Sequence, residues 1–246
     1  MKLEEKIKNK FLYTKKLNFF KIIYFFFQYL KGKQKLKKSH SNWGIDMLCD
    51  HFFINKNNGI YIDIGCHHPF LNNNTLPLHK RGWSGINIDI DFCSIDIFNF
   101  FRPKDLNIEI GVSDTKGETD LYFFHNRAAK NTLSKKLGLE AKSVKKVNTD
   151  TLNNIIENSK FANEKINFLS IDVEGYELKV LMGLDLKKYK PEMIVLEFLQ
   201  PNIKEFSQQK IEVIQESALY KHMINSDYKL INWVHADLVF VPNNSA

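Results

Sequence analysis

Cysteine is scarce and scattered in this chain. Cys49, Cys66 and Cys93 stand alone, odd in number and without a C-x-x-C pair, which argues against a disulfide framework or a thiolate zinc cluster and fits a reducing cytoplasm. No G-x-x-x-x-G-K-[ST] occurs, so the phosphate cradle of nucleoside triphosphate enzymes is missing. No Gly-rich turn opens a helix where a dinucleotide pyrophosphate would rest. No internal repeat is visible. Basic charge is also in short supply over most of the chain. Residues 1–40 hold 12 Lys and 2 Glu, whereas residues 41–246 hold 23 basic against 26 acidic residues. The overall charge of +7 therefore describes a slightly acidic domain with a basic tail, and gives no ground for a nucleic-acid partner.

The sequence divides on this basis into a tail, residues 1–40, and a domain, residues 41–246. Within the tail, Phe19–Leu30 reads FFKIIYFFFQYL. Lys21 and Gln28 interrupt it, and it falls short of the roughly 20 apolar residues that a spanning helix needs. Lysines 15, 16, 31, 33, 35, 37 and 38 flank it, each worth roughly 1 kcal/mol beside an anionic headgroup surface. No small-residue cleavage site follows, as a signal peptide would require. Two readings stand: a helix lying in the membrane surface, which would make the protein peripheral on the cytoplasmic face, or a helix packed on protein.

From about residue 59, strand-like and helix-like segments alternate, which predicts an α/β fold with a mostly parallel sheet and helices on both faces. GIYIDIG, GINIDI, LNIEIGVSD, INFLSIDVEG and PEMIVLEF are the five expected strands. GETDLYFF adds a hairpin strand, and YKLINWVHADLVFVP reads as a C-terminal antiparallel pair turning near His235–Asp237. Expected helices are NTLPLHKRG, with Pro77 in its first turn and Gly82 at its end, FCSIDIFNFF, a helix begun in VNTDTLNNIIENS behind a Thr/Asp cap, and YELKVLMGL.

In an open sheet of this kind ligands bind outside the carboxyl ends of the strands. Asp63, Gly65, Asp89, Ser113, Asp114, Asp172, Glu174 and Glu197 fall there. Five strand ends each carry an acid, which a purely structural sheet does not need, because burying a carboxylate without partners is costly. Such a pocket suits a ligand with cationic groups and a ribose diol but no phosphate. S-adenosylmethionine, with its sulfonium, ammonium and two free ribose hydroxyls, has this chemistry. Asp89 lies 24 residues after Gly65, where a carboxylate can accept both ribose hydroxyls; acids at the end of a second strand also occur in NAD proteins.

The blocks YIDIGCHHP, NNNTLPLHKRGWSGINID, VSDTKGE, NTLSK, VNTDTLNNII and INFLSIDVEGYELKVLMGLDLKKYKPEMIVLEF, in that order, resemble the FkbM family of S-adenosylmethionine-dependent methyltransferases. The most specific signal is IDVEGYE at Ile171–Glu177, with its following helix and KYKPEMIVLE; GWSGINID is next. The resemblance implies a Rossmann-like class I methyltransferase sheet and, commonly, O-methylation of a sugar or polyketide hydroxyl, so the implied partner is a small-molecule, glycan or glycolipid acceptor. Carried over by position, it implies Asp63 and Gly65 in the first cofactor loop, Asp89 on the ribose, Ser113 and Asp114 on the adenine side, and Asp172 near the methionine moiety. The chain departs from many members at Cys66-His67-His68-Pro69, where they have a small residue, Asn and Gly.

For a base that takes a hydroxyl proton, Glu174 is the first candidate, His67 or His68 the second and Glu197 the third. Glu174 also has a plainer reading, as an acid favouring the N-terminal end of the next helix. Adjacent histidines on a loop rarely both reach one ion, and no His-x-x-x-His supports them, so no metal site is expected. Cys66 reads as a packing residue, and Asn72–Asn74 with Thr75 as a helix cap or a contact to the methionine carboxylate. Two other functions remain open on sequence alone: a membrane-associated binding module on the same fold, and an NAD-type oxidoreductase.

Overall fold

The structure, a computed structural model, describes residues 39–125, 128–199 and 209–244. The expected tail helix at Phe19–Leu30 lies outside them. Ten strands are present: β1 (Ile60–Ile64), β2 (Ser84–Asp89), β3 (Leu106–Glu109), β4 (Gly111–Ser113), β5 (Gly117–Phe123), β6 (Ser143–Thr151), β7 (Ile166–Ile171), β8 (Met193–Glu197), β9 (Tyr228–Val234) and β10 (Asp237–Pro242). α1 (Ile45–Phe52) precedes them, and between them run α2 (Leu76–Lys80), α3 (Phe92–Phe101), α4 (Leu152–Glu157), α5 (Glu177–Met182), α6 (Leu186–Tyr189), α7 (Ile211–Glu216) and α8 (Ala218–Asn225). No helix among the described residues is long and apolar enough to cross a membrane.

Seven strands form the main sheet in the order β3-β2-β1-β7-β8-β10-β9. The first five are parallel, and β10 pairs antiparallel with both β8 and β9. This is the Rossmann-like, mostly parallel α/β sheet with an antiparallel C-terminal pair that the residue pattern predicts. Strand order runs outward from β1 in one direction and from β7 in the other, so the gap between these two carboxyl ends is the switch point of the sheet.

The two faces follow from the period of two along each strand. Ile62 and Ile64, Leu169 and Ile171, Ile194 and Leu196, and Leu238 and Phe240 belong to the larger core on one face. Their neighbours Tyr61, Phe168, Met193, Val195, Val239 and Val241 meet Ile45 and Cys49 of α1, Leu78 of α2 and Trp83 on the other. Full burial of each such side chain stabilises the fold by about 1.5–3 kcal/mol.

The third expected strand, LNIEIGVSD, is in fact two. β3 closes the edge of the main sheet beside β2, whereas β4 joins a separate three-stranded sheet of order β4-β6-β5. The chain turns out of one sheet at Ile110, whose amide is bonded to the Asp89 carbonyl at 3.0 Å. Val147–Thr151, read as the approach to a helix, is instead the end of β6; Thr151 then caps α4, its side chain accepting from the Asn154 amide at 3.1 Å. The hairpin partner of β6 is β5, as GETDLYFF suggests. α1 has no counterpart in the sequence reading.

Candidate active site

A cavity of about 230 Å³ opens at the switch point. Gly65 follows β1, Asp89 ends β2, Asp172 and Glu174 follow β7, and Glu197 ends β8; all line it, together with His67, Asn72, Asp91, Asn131 and Thr132. Apolar walls come from Ile64, Ile88, Ile110, Val112, Leu133 and Val173, and Asn42 closes one side.

The first loop is shaped by Gly65. Its φ is +76°, and a Cβ there would overlap the backbone carbonyl oxygen of Asp172. Only glycine lets the ends of β1 and β7 come this close. The Gly65 amide donates to Ile88 at 2.9 Å, and the Asp172 amide to Ile64 at 3.0 Å. The chain then turns at His67, also left-handed at φ +45°, and points its amide at Asp89 Oδ2, 2.9 Å away. The other oxygen of Asp89 accepts the Asp91 amide at 2.8 Å. Burial raises the Asp89 carboxyl above its ordinary range, and these two amides offset part of the rise. Each oxygen spends one lone pair on the backbone and keeps capacity for a ligand hydroxyl.

Glu174 is held in a strained turn. Its φ is +56°, unusual for a non-glycine residue, and two contacts fix it there. Thr132 Oγ1 donates to the Glu174 carbonyl at 2.7 Å. Below the turn, Glu177 Oε1 accepts the amides of Val173 at 3.1 Å and Gly175 at 3.0 Å. Burial, and then the charges of Asp172 and Glu177, push the Glu174 carboxyl up to about 7. Oxygens of Asp172, Glu174 and Glu197 lie within 4.8 Å of one another. Asp172 is open to the cavity yet surrounded by protein on most sides. A narrow cleft solvates a charge poorly, and this enclosure raises the Asp172 carboxyl above its ordinary range. Glu197, half-buried and facing the other acids, is raised well above the carboxylate range by burial and their charge, and its buried Oε2 has no hydrogen-bond partner among the described residues. Asp237, next to this group, is pushed up to about 7 by burial and by Asp172.

Other expected residues lie elsewhere. Asp63 is on the Tyr61 face of β1, because side chains alternate along a strand; it does not reach off the strand end into the cavity. It accepts from Asn73 Nδ2 and from Thr75 Oγ1, both at 3.0 Å. Burial raises it to about 6, while the Arg102 guanidinium pulls it down. Ser113 sits in β4, its hydroxyl 3.1 Å from Asp114 and 3.3 Å from the Tyr176 hydroxyl. Asp114 pairs with Lys179 at 2.5 Å, which holds its carboxyl below the ordinary range. Ile110, Gly111 and Val112, just before them, line the cavity instead. His68 is turned into its own loop, its Nδ1 accepting the amides of Phe70 and Leu71 at 3.1 and 3.2 Å; His67 alone of the pair lines the cavity. Cys66 packs against Ile95 and Phe98, with its thiol raised by burial.

Arg102, at the C-terminal end of α3, has no place in the sequence reading and organises the first loop. It is 1% exposed. One of its terminal nitrogens donates to Tyr61 at 3.1 Å and Thr75 at 2.8 Å, and the other to the Pro69 carbonyl at 2.8 Å and Asn73 Oδ1 at 2.9 Å. The one available signal was its position: a lone arginine directly after FCSIDIFNFF, at the end of an apolar helix, must find buried acceptors. Thr75 and Asn73 thus serve this network, and the Thr75 side chain does not cap α2.

A family model described as the methyltransferase FkbM domain matches residues 63–225. The chain belongs to the FkbM methyltransferase domain family. That match runs from the last two residues of β1 through α8, and takes in Gly65, Asp89, Asp172, Glu174 and Glu197. A solved structure described as a TehB-like SAM-dependent methyltransferase from Corynebacterium glutamicum is similar to this FkbM chain at a TM-score of 0.42 and 11% identity, covering 88% of this chain and 96% of that one. No curated protein matches it.

Proposed function

We propose that this FkbM-family chain transfers a methyl group from S-adenosylmethionine to a hydroxyl oxygen of a sugar, glycan or glycolipid acceptor. The observation that carries the reading is the switch-point cavity itself: Asp89 at its β2 edge with accepting capacity left on both oxygens, and three further carboxylates converging opposite. Glu197 Oε2 is an orphaned buried acceptor in that group. Such an acid-rich lining fits a ribose diol and a cationic methionine moiety, and disfavours a pyrophosphate.

S-adenosylmethionine, when bound, supplies an electrophilic methyl group on a sulfonium leaving group. Asp89 would accept the ribose hydroxyls. Asp172 and Glu197 would face the positive charge, and the ligand's charge would favour their ionised forms. Gly65 lets the loop backbone approach. Ile64, Ile110, Val112 and Val173 exclude water from the site. Glu174, fixed by Thr132 and Glu177, would take the acceptor's hydroxyl proton; His67 is the second candidate. A positioned base of this kind contributes about 10²–10⁴-fold, and holding the reactants in line contributes about 7–11 kcal/mol of the barrier.

Calorimetry with S-adenosylmethionine tests the cofactor assignment. Asp89→Ala is expected to weaken binding by about tenfold or more, the loss of charge-assisted hydrogen bonds; equal affinity would reject the ribose role. Labelled methyl donor with saccharide and lipid-linked alcohols then identifies the acceptor.

A further inference from the structure

The first loop has two sides. His67 and Asn72 face the cavity, while Phe70 and Leu71 between them point outward, 37% and 64% exposed. Phe100 and Phe101, at the end of α3, continue this apolar surface at 77% and 48% exposure. The Phe70 ring packs edge-on against Phe101 at 4.6 Å, and Phe101 against Phe100 at 4.9 Å. The three rings therefore form one contiguous cluster, with exposed Leu71 next to Phe70 in the chain, and Arg102 supports the loop by bonding the Pro69 carbonyl just before it.

The chain enters the described domain beside this cluster. The His40 carbonyl accepts the Asn73 amide at 3.0 Å, two residues past Leu71, and Lys80 lies 3.2 Å from the His40 ring. Lysines 31, 33, 35, 37 and 38 precede Ser39 by at most eight residues. Against them stands Asp96, the one acid of α3, a turn before Phe100. Exposed aromatic side chains, in a chain whose sequence before Ser39 carries a lysine run, match the two requirements of an anionic bilayer surface: apolar groups that enter the acyl boundary and cations that meet the headgroups.

We propose that Phe70, Leu71, Phe100 and Phe101 form a membrane-docking face that seats the domain on an anionic bilayer with its cavity mouth at the lipid surface. Resting on the methyltransferase reading, this makes the acceptor a lipid-borne hydroxyl, since the loop that enters the bilayer also walls the cavity. The docking itself does not depend on that reading, and its test uses no methyl donor.

The full chain is sedimented with vesicles of phosphatidylcholine, and of phosphatidylcholine with phosphatidylglycerol. Binding is expected only with the anionic vesicles, and weakened by added salt. The double variant Phe100→Ser, Phe101→Ser is expected to bind about tenfold more weakly, the scale for losing two partly inserted apolar side chains, with an unchanged circular dichroism spectrum. Leu71→Ser is the second probe, should the double variant not fold, and is expected to weaken binding in the same direction. Binding of both variants equal to that of the parent chain would overturn the proposal. So would absence of binding to anionic vesicles, or a parent dimer that these substitutions convert to monomers, which would assign the cluster to a second copy of the chain.

Discussion

Glu174 occupies a left-handed backbone position that costs of order 1–3 kcal/mol, and the Thr132 and Glu177 contacts hold it there. A carboxyl poised at about 7 changes protonation near neutrality. In the proposed role of base it works only when ionised, so kcat/KM of the free enzyme is expected to rise with pH through about 7 and level off above it. The kcat profile should rise at lower pH, because a bound cation favours the carboxylate. Glu174→Gln keeps the shape of the side chain and removes the proton acceptor. It is expected to lower kcat by about 10²–10⁴-fold and flatten the rising limb, with S-adenosylmethionine affinity by calorimetry nearly unchanged. At this scale the sequence was informative where a residue follows a strand directly, as Gly65, Asp172 and Glu174 do, or closes it, as Asp89 does. It was silent where one step along the backbone decides the face. Asp63 is within β1, so the pleat sends it under the loop and not into the cavity. Ser113 and Asp114 lie just beyond the stretch that lines it. His67 and His68 differ by one residue and point to opposite destinations.

The first loop and α3 act as one element, joined by Arg102. Its guanidinium satisfies the Pro69 carbonyl, Asn73, Thr75 and Tyr61 and supplies the positive charge nearest the buried Asp63. Removing it strands those acceptors and an acid together. Arg102→Ala is expected to destabilise the fold by about 3–5 kcal/mol, read as a lower urea midpoint, and to weaken S-adenosylmethionine binding as the loop loses its support. Arg102→Lys should recover little, since an ammonium cannot reproduce the planar fork. None of this was legible from spacing, because the partners are 27 to 41 residues from Arg102 in sequence and only the fold joins them. The repeating elements were legible. Runs such as YIDI, INIDI, NFLSI and MIVLE carry the strand pattern in their own composition, and Pro77 and Thr151 mark helix starts. The division between β3 and β4 was not, because Ile110 carries no breaker residue; the turn there comes from two sheets competing for adjacent stretches of chain.

Across the whole domain, acids held above their ordinary values set the pH response. Asp63 stands at about 6, Glu174, Glu177 and Asp237 at about 7, and Asp89, Asp172 and Glu197 are also raised, in each case first by burial. Unfolded, these groups titrate near 4. Between about 4 and about 7 the folded chain therefore binds more protons than the unfolded one, and the free energy of unfolding falls as pH rises. His79 and His222, which burial pushes down, act the other way below their ordinary value of about 6.5, two groups against seven. Without ligand, the domain is expected to melt at lower temperature near pH 8 than near pH 5.5, as followed by circular dichroism. S-adenosylmethionine should narrow the difference, because a cation in the cavity favours the ionised acids, and its binding heat should vary with the ionisation enthalpy of the buffer as protons are released. A Tm that rises steadily across this range would contradict the arrangement of acids described here.

The strand order also has a consequence for synthesis on the ribosome. β9 is translated before β10, yet among the described residues its ladder partner is β10, which lies between it and β8. A nascent chain that has emerged only through β9 thus holds that strand without a neighbour and leaves the β8 edge bare, the kind of open edge that recruits other chains. Chains truncated after Val234 should be the ones that a chaperone grips, and chains extended through Asp237–Pro242 should escape it.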